Sequence, residues 1–477
     1  MAISADPLGA PMTASPPLPL AAATLNTSLR ATFDSGRTRP LAWRQEQLAG
    51  LRRMMEEAAE ELVEALHTDL GRPRMESYGA DIGHTKIELR YLAKHVGSWM
   101  KPTRVRVPLT VAPATARIVP EPRGVVLVIA PWNYPVQLLI EPLAAALAAG
   151  NCVVAKPSEL APSCSAALAR LLPLYLDPEA VVVVEGGVAD TTALLAERWD
   201  HIFFTGSTAV GRVVAAAAAR HLTPTVLELG GKSPTYVHAS ANLDVAARRI
   251  AWGKFLNAGQ TCIAPDYVLV DEEVKDELVA KLAAQITEFY GTDPQVSDSF
   301  GRIVNERHLR RLEGLLAAGA GTIAAGGQVD AGAGYVAPTI TVEPALDSAV
   351  MQEEIFGPIL PVVGVANSRA ATAFITARPK PLALYVFAGR GDVIDEVIGA
   401  TSSGGVCVNQ TIMHLLPSTL PFGGVGDSGM GSYHGRAGFD VFSHRKSVLK
   451  KRPKPDLKLL YPPYTPKVEK IARRILR

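Results

Sequence analysis

Five short apolar runs follow one another from Gly124 onward, and each is separated from the next by a stretch with helical character. The runs lie at 125–129, 152–155, 181–184, 202–204 and 225–227, and the helical stretches at 136–149, 162–174, 190–197 and 209–221. Continuous apolar strands that alternate with helices of this length predict a parallel sheet covered on both faces. A sheet of this kind binds its ligands at the carboxyl ends of its strands. The chain is therefore predicted to be an α/β protein with a binding site at that edge.

The segments on either side of this region have other patterns. Residues 40–67 and 85–99 space their apolar side chains as amphipathic helices do. Between 101 and 120, β-branched residues and prolines predict a hairpin with its turn near 112–114. A second α/β segment begins near 232, with strands expected near 267–270, 359–365, 383–388 and 405–408. Since 477 residues exceed one ordinary core, we expect two or three domains.

Composition limits the classes of protein to which this chain can belong. The net charge of +2 gives no general argument for nucleic-acid binding. Four cysteines without a C-x-x-C pair offer no metal-ligand spacing, and so few cysteines fit a reducing compartment. No apolar run reaches the roughly 18–20 residues of a membrane span, and the N-terminus lacks the pattern of a signal peptide. We therefore expect a soluble, cytoplasmic protein without a metal site.

The two ends of the chain differ from its body. Residues 1–22 are rich in alanine and proline and are interpreted as a disordered leader, within which Met12 is an alternative start. Residues 445–477 carry twelve Lys and Arg against two acidic residues, a net +10. At 467–477 the apolar side chains form one helical stripe opposite a basic face. Three interpretations of this tail stay open: contact with a partner subunit, weak contact with an anionic membrane, or a solvated end.

Polar loops follow the strands of the predicted sheet. Residues 205–211 come after a buried strand and open a helix, where unpaired N–H groups can bind a phosphate. Because the segment lacks the G-x-G-x-x-G fingerprint, a tight strand–helix turn explains it equally well. Lys156 and Glu159 can bind ribose hydroxyls, and an acidic group at this place favours NAD over NADP. Their alternative role is a solvated helix start, capped by Ser158.

Three more residues carry chemistry that catalysis can use. Glu228 closes an apolar strand, where burial would raise the pKa of its carboxyl toward that of a general base. Asn133 can donate a hydrogen bond to a developing oxyanion. Cys262 precedes an apolar run, and a thiolate is a strong nucleophile at neutral pH. Taken singly, each also fits an ordinary role: a strand-end carboxylate in water, a loop cap and a buried core thiol.

Six motifs, in this order, resemble the signatures of the aldehyde dehydrogenase superfamily, and the likeness runs from about residue 40 to 463. They are Pro-Trp-Asn-Tyr-Pro at 131–135, Lys-Pro-Ser-Glu at 156–159, Phe-Thr-Gly-Ser at 204–207, Leu-Glu-Leu-Gly-Gly-Lys at 227–232, Gly-Gln-Thr-Cys at 259–262 and Glu-Glu-Ile-Phe-Gly-Pro at 353–358. Tyr134, residues 420–435 and residues 443–445 resemble the class-three branch. That branch includes dimeric enzymes that oxidise aromatic and medium-to-long aliphatic aldehydes with NAD or NADP, and bacterial coniferyl aldehyde dehydrogenases are similar in type.

The resemblance implies a fold of three parts. A Rossmann-like parallel-sheet domain for NAD or NADP would comprise residues 23–101 and 120–228, and a second α/β domain, the catalytic one, residues 229–439. A small β arm for dimerisation would comprise residues 102–119 and 440–463, and a basic amphipathic tail would follow at 464–477. The expected partners are a small-molecule aldehyde and a second copy of the chain.

The resemblance also implies a role for each site residue. Cys262 would attack the aldehyde as a thiolate, Asn133 would hold the oxyanion together with the Cys262 N–H, and Glu228 would activate the water that hydrolyses the thioester. The residues expected at the cofactor are Trp132, Lys156, Ser158, Glu159, Thr205, Gly206, Ser207, Gly211, Leu229, Gly230, Glu354 and Phe356. The residues expected in the substrate pocket are Tyr134, Thr261, Ile263, Ile412 and His414, within a tunnel partly lined by 410–416.

The sequence disfavours two rival functions and indicates structural roles for several other residues. A coenzyme A-acylating enzyme is disfavoured because such an enzyme has no need of a base at Glu228. A non-catalytic protein with the same fold is disfavoured by the intact set of Cys262, Glu228 and Asn133. We expect His434 to be structural or pocket-lining, and Cys152 and Cys407 to be inert core thiols.

Overall fold

A computed structural model describes residues 18–317, 319–456 and 461–475. The described residues form helices α1 to α17, at Leu18–Asp34, Leu41–Glu57, Ala59–Leu70, Arg74–Glu76, His84–Trp99, Gln137–Ala149, Pro162–Tyr175, Val188–Ala196, Thr208–Ala219, Leu243–Phe255, Lys275–Tyr290, Glu306–Ala317, Ala349–Gln352, Ser368–Thr376, Gly391–Ala400, Gly435–Val441 and Pro466–Ile475. They also form strands β1 to β18, at Thr103–Val105, Ala114–Pro122, Val125–Ile129, Cys152–Lys156, Val181–Val183, His201–Thr205, Thr225–Glu228, Pro234–Val237, Tyr267–Asp271, Thr322–Ala325, Val329–Asp330, Tyr335–Val336, Thr339–Val342, Ile359–Val365, Ala383–Phe387, Gly405–Val408, Gly429–Met430 and Ser443–Lys451. Among the helices just given, none is long and apolar enough to cross a membrane.

The first sheet has six strands in the order β17-β7-β6-β3-β4-β5. All five strands predicted from 125 to 227 are present and pair in parallel, and their buried apolar side chains explain why the runs are continuous. The order reverses at β3, which lies between β4 and β6. Ligands bind in the crevice at such a switch point, and the loops that follow β3 and β6 lie on either side of it.

The second sheet has seven strands in the order β10-β13-β14-β9-β8-β15-β16. The strands from β13 to β16 run parallel, and β10 is an antiparallel edge. The four strands predicted in this half of the chain are all found. The central strand β9 begins at Tyr267, five residues after Cys262, so the cysteine lies in a loop that leads into the middle of this sheet.

A third sheet of three strands is formed by segments far apart in the chain. The predicted hairpin is present as β1 and β2, and β18 pairs antiparallel with β2 along nine residues. Strand β2 runs on to Pro122, beyond the boundary of 119 expected for the arm. Most side chains of β1 and β18 are exposed. We call this sheet, residues 103–122 and 443–451, the arm.

The structure corrects several expectations about helices and boundaries. Helix α1 begins at Leu18, so residues 18–22 are helical and not part of a disordered leader, while residues 1–17 lie outside the described residues. The helix expected at 40–67 is two helices that meet at Ala58. The helix expected at 85–99 starts at Arg74, because a π-helical segment at Ser77–Gly83 joins α4 to α5 and disturbs the 3.6-residue spacing.

Two further findings concern the ends of the catalytic segment and the tail. The short strand β17, which we expected in the catalytic domain, pairs with β7 at the edge of the first sheet. It is too short to give an alternating sequence pattern. The tail contains helix α17, as its amphipathic pattern predicts, and the side chains of this helix are largely exposed.

A buried ion pair connects the π-helical segment to the first sheet. Arg72 and Asp81 are both fully buried and contact each other through Nη2 and Oδ2. Asp81 Oδ1 accepts hydrogen bonds from the N–H groups of Val136 and Gln137, at the start of α6, at 3.0 and 2.9 Å. Arg72 Nη1 also donates to the carbonyl oxygen of Asn133 at 3.1 Å. The pair thereby fixes the loop that follows β3.

Asp81→Ala tests how much this ion pair contributes to the stability of the fold. The variant leaves the Arg72 charge buried without its partner, which costs about 3–5 kcal/mol. We expect the free energy of unfolding in urea to fall by that amount, as followed by circular dichroism. The control is Asp392→Ala, which breaks the exposed pair with Arg390 and should change little. Equal unfolding curves for Asp81→Ala and the wild type would contradict the expectation.

Candidate active site

Cys262 lies in a loop whose backbone is left-handed over three consecutive residues. Asn257, Ala258 and Gly259 have φ values of 50, 52 and 75°. A side chain at Gly259 would collide with the carbonyl oxygen of Gly357, so only glycine fits there. Non-glycine residues in this conformation store strain and persist only where the surroundings hold them. We call residues 257–262 the cysteine loop.

Hydrogen bonds from several elements hold the cysteine loop. Gln260 Nε2 donates to the carbonyl oxygens of Asn257 and Arg302 at 3.0 and 2.9 Å, and its Oε1 accepts the N–H of Val304 at 3.0 Å. On the other side, Glu76 Oε2 accepts the N–H of Asn257 at 2.9 Å. The loop is thereby tied to segments that precede and follow it by many residues, and the thiol has a fixed place.

The thiol of Cys262 lies where two cavities meet, since it lines both of them. Burial, with smaller effects from the charges of Glu354 and Glu228, raises its pKa to about 12. The nearby N–H groups of Cys262 and Ile263 act in the opposite direction. At neutral pH, without ligands, the group is therefore a thiol and not a thiolate.

Glu228 ends strand β7 inside one of these cavities. Its side chain is buried, and neither carboxylate oxygen has a hydrogen-bond partner within the described part of the chain. Burial raises its pKa well above the usual value for a glutamate. A carboxylate that is buried and unpaired is costly to maintain and is a strong base when ionised.

Asn133 follows β3, and hydrogen bonds hold both its backbone carbonyl and its side-chain amide. Its carbonyl oxygen accepts hydrogen bonds from Arg72 and from Asn257 Nδ2, the latter at 3.0 Å. Its Nδ2 donates to the carbonyl oxygen of Gln260 at 3.0 Å. An amide nitrogen carries two hydrogens, so the second can serve an oxygen bound beside Cys262. The contact with Gln260 places this donor next to the cysteine loop.

The first of the two cavities, of about 250 Å³, lies at the carboxyl edge of the first sheet. Its lining includes eight of the residues expected at the cofactor: Trp132, Thr205, Gly206, Ser207, Leu229, Gly230, Glu354 and Phe356. Ser207 caps helix α9, and its Oγ accepts the N–H of Val210. The N-terminus of α9 thus faces the cavity, as binding of a phosphate requires. These residues fit a dinucleotide with its pyrophosphate at α9.

Four of the expected cofactor residues lie outside this cavity. Lys156, Ser158 and Glu159 follow β4, one strand further along the sheet, where Lys156 Nζ lies 3.9 Å from a Glu159 oxygen. Ser158 accepts the N–H of Leu160 and does not cap α7, which starts later, after Ala161. Gly211 is a packing residue, because any side chain there would strike Leu229. A role of Gly211 at the cofactor stays a prediction from the sequence.

Two polar residues of this cavity were not predicted from the sequence. His308 and Arg311 belong to helix α12 and line the cavity beside Trp132. The ring centroids of Trp132 and His308 are 5.3 Å apart, and those of Trp132 and Phe356 are 5.4 Å apart. Arg311 donates to the carbonyl oxygens of Glu354 and Ile355. Helix α12 has an ordinary amphipathic sequence, which gives no sign that it reaches the site.

The second cavity, of about 310 Å³, is lined mostly by apolar side chains. The expected residues Tyr134, Thr261, Ile263 and Ile412 are among them, and Tyr134 and Thr261 share a hydrogen bond of 2.7 Å. The lining also includes Met75, Glu76, Gly79, Ala80, His84, Gln137, Leu138, Trp252, Leu256, Met413, Leu415, Leu416, Phe422 and Tyr433. The residues at 75–84 went unrecognised because their π-helical turn hides the helix.

His414, which we expected in the substrate pocket, is not among the residues that line the apolar cavity. It lies in the short 3-10 turn at Met413–Leu415, whose other two residues line the cavity. The His414 ring instead packs between Tyr385 and Phe422, with centroid distances of 6.0 and 6.1 Å. It also fills the space left by the absent side chain of Gly405.

His434 and the two cysteines in strands have ordinary surroundings. His434 is buried, and its Nε2 lies 3.3 Å from Glu141, so it has a structural place. Cys152 is buried in the first sheet, as expected, whereas Cys407 is half-buried because its strand β16 lies at an edge. Within the described residues, no group of three His, Cys, Asp or Glu is placed to hold a metal ion.

These features fit an oxidoreductase with a nicotinamide dinucleotide in one cavity, an apolar substrate in the other and a thiol where the cavities meet. The Aldehyde dehydrogenase family profile matches residues 22–448. The chain belongs to this family, in its class-three branch, and is an aldehyde dehydrogenase that uses NAD or NADP. The expectations of family, α/β fold and cofactor are confirmed.

The relatives support this assignment over nearly the whole chain. Aldehyde dehydrogenase family 3 member B1 of Rattus norvegicus is 49% identical over 439 residues, which cover 92% of this chain and 93% of the relative. The dimeric NADP-preferring aldehyde dehydrogenase of Rattus norvegicus is 50% identical over 422 residues, with coverage of 88 and 93%. The substrate-bound structure of Staphylococcus aureus AldH is 43% identical with a TM-score of 0.92, and the match covers 95% of this chain and 99% of AldH.

Alkylation measures the ionisation of Cys262 in the free enzyme. Because burial raises the pKa of this thiol to about 12, we expect iodoacetamide to modify it slowly at pH 7 and steadily faster up to pH 10. Peptide mass spectrometry gives the rate at each cysteine, with the buried Cys152 and Cys164 as unmodified references. A rate for Cys262 that is already constant above pH 7 would show a thiolate and contradict the expectation.

Proposed function

We propose that Cys262, Glu228 and Asn133 oxidise an aldehyde to its carboxylic acid through a thioester. The observation that carries the proposal is their placement: Cys262 and Glu228 line one cavity with Asn133, and Cys262 also lines the apolar cavity. A substrate in the apolar cavity would bring its carbonyl carbon to the sulfur, on the side that faces the cofactor cavity.

The first half of the cycle forms the thioester. The Cys262 thiol loses its proton to solvent, its sulfur adds to the carbonyl carbon, and the oxygen that becomes negative is stabilised by Asn133 Nδ2 and the N–H of Cys262. When bound, NAD or NADP supplies the acceptor for the hydride that leaves this carbon. The sulfur stays bonded to the resulting acyl group, so the aldehyde has been oxidised by two electrons.

The second half of the cycle releases the acid. Glu228 takes a proton from water, which attacks the thioester carbon, and the bond to sulfur breaks to return Cys262. The unpaired oxygens of Glu228 are available for that water, and burial makes the carboxylate a stronger base. The same group disfavours acyl transfer to coenzyme A, since a base beside the thioester directs it to hydrolysis.

The cofactor and substrate classes follow from the two cavities. Lys156 and Glu159 would hold the adenosine ribose at β4, and Glu159 favours NAD, although a relative with half of its residues identical is named NADP-preferring. The apolar lining of the second cavity favours aromatic or medium-to-long aliphatic aldehydes. The choice between NAD and NADP would therefore depend on whether the Glu159 side chain stays beside the adenosine ribose.

The arm supports a homodimer as the assembly. Its strands β1 and β18 are sheet edges with unpaired backbone groups and exposed side chains, which favour pairing with a second copy. Relatives with about half of their residues identical are named dimeric. The cytoplasmic location, and the choice among three roles for residues 464–477, stay predictions from the sequence.

Cys262→Ala tests the nucleophile. Without a sulfur no thioester can form, and we expect aldehyde-dependent reduction of NAD to fall at least about 10⁴-fold. Absorbance of the reduced cofactor at saturating aldehyde gives the rate. Cys407→Ala is the matched control, since Cys407 lines neither cavity. Unaltered reduction by Cys262→Ala would defeat the proposed function.

Glu228→Gln tests the base with little change in volume. The first half of the cycle does not need Glu228, so we expect a burst of one reduced cofactor per site, followed by turnover slowed about 10²–10⁴-fold. Intact-mass spectrometry should show the acyl group on the protein.

The pH dependence of wild-type turnover gives a second signature. Only the ionised carboxylate is a base, so turnover should rise with pH as Glu228 loses its proton, at a higher pH than for an ordinary glutamate. Glu228→Gln should lack this rise. A variant that turns over without a burst, or keeps the wild-type pH profile, would contradict the role.

A further inference from the structure

Among the described residues that line the apolar cavity, Glu76 is the one acidic side chain. Its Oε2 accepts the N–H of Asn257 at 2.9 Å, and its Oε1 takes part in no hydrogen bond within the described part of the chain. Burial raises the pKa of this carboxyl to about 7. One oxygen is thus used by the protein, and the other is left for whatever occupies the cavity.

Four other polar side chains of the cavity wall have hydrogen-bond partners within the protein. Tyr134 and Thr261 bond to each other, and Gln137 Nε2 lies 3.1 Å from His84 Nδ1. His84 in turn lies 2.7 Å from Glu141 through Nδ1. Glu76 therefore differs from these neighbours in being acidic, with one oxygen bonded to the cysteine loop and the other without a hydrogen bond within the described residues.

Glu76 lies in the outer part of the apolar cavity. Its neighbours Met75, which is 80% exposed, and Gly79, which is also exposed, line the same wall. Gly79, His84 and Leu416 continue into a groove on the surface, whereas Cys262 lies at the inner end, where the cofactor cavity begins. An aldehyde with its carbonyl at Cys262 would bring the opposite end of its chain toward Glu76.

We infer that Glu76 makes the cavity selective for aldehydes that carry a hydroxyl group at the end remote from the carbonyl, with Glu76 Oε1 accepting the hydroxyl hydrogen. This inference rests on the proposed function. A long apolar chain would cover the free oxygen and leave it without a partner, which is unfavourable. A hydroxyl group at the same position restores the hydrogen bond. A site that hydrogen-bonds a donor group of its substrate discriminates strongly against analogues that lack this group.

The expected selectivity depends on the length of the substrate. A short aldehyde does not reach Glu76, so its terminal group is not discriminated. A chain that spans the cavity does reach it, and only then does a hydroxyl group matter. The selectivity should therefore appear at one range of chain length and be absent below it.

The experiment compares ω-hydroxyalkanals with n-alkanals of the same number of heavy atoms, over increasing length. For the wild type we expect the ratio of kcat/KM, hydroxyl over methyl, to be near one for short chains and to rise roughly 10-fold or more at the length that reaches Glu76. In Glu76→Leu the ratio should return to about one or below at every length. The exposed residue Glu288 supplies the control: Glu288→Leu should keep the wild-type ratios.

Glu76→Gln guards against a loss of structure in the leucine variant. Its amide oxygen can still accept the N–H of Asn257, so the cysteine loop keeps its support, while the charge in the cavity is gone. We expect the hydroxyl ratio to stay near one for short chains and to fall at the chain length that reaches Glu76.

Other outcomes overturn the inference. A hydroxyl ratio that survives in both variants would assign recognition to another group, such as Gln137. An equal loss for both substrate classes at every length would show that Glu76 only supports the loop. Oxidation of n-alkanals by the wild type without any hydroxyl preference refutes the role of Glu76 alone, whereas oxidation of no aldehyde refutes the proposed function as well.

Discussion

The site depends on one steric and hydrogen-bonding constraint, the left-handed turn that precedes Cys262. Three successive residues with positive φ, of which only Gly259 is a glycine, cannot persist without support. The support comes from Asn133 and Glu76, which reach the cysteine loop from two other parts of the chain, and from Gln260 within the loop, which bonds to Arg302 and Val304. The Arg72–Asp81 pair fixes the Asn133 loop in turn. The position of the Cys262 sulfur therefore depends on contacts with several buried segments of the chain.

The same burial determines the charges of the site. Cys262 and Glu228 are both removed from water, and burial raises the pKa of each, which favours the neutral form of both groups. In the proposed cycle the sulfur is charged during the attack and the carboxylate during hydrolysis. Charging the two groups at separate steps avoids the cost of two buried anions close together.

The sequence predicts the first sheet well because its strands are buried on both faces. Runs such as 125–129 and 152–155 are apolar at every position, and the loops at their carboxyl ends necessarily meet at one edge. The proposed catalytic set also came from the sequence, through motifs around Asn133, Glu228 and Cys262. The positions of Gly211, His414 and His308 depend on which side of an element faces the cavities, and spacing along the chain does not contain that information. Strand β17 has only two residues and is too short to give an alternating pattern.

The π-helical segment at Ser77–Gly83 is the clearest case of a hidden functional element. It interrupts the 3.6-residue period, so the sequence shows a helix only from residue 85, yet this stretch supplies one wall of the apolar cavity. Glu76, at its start, bonds to Asn257 and also faces the substrate cavity. In the proposed function, Glu76 would therefore connect substrate selection to the placement of the nucleophile. A substitution that breaks the bond to Asn257 should alter the position of the sulfur, whereas one that keeps this bond should alter substrate selection alone.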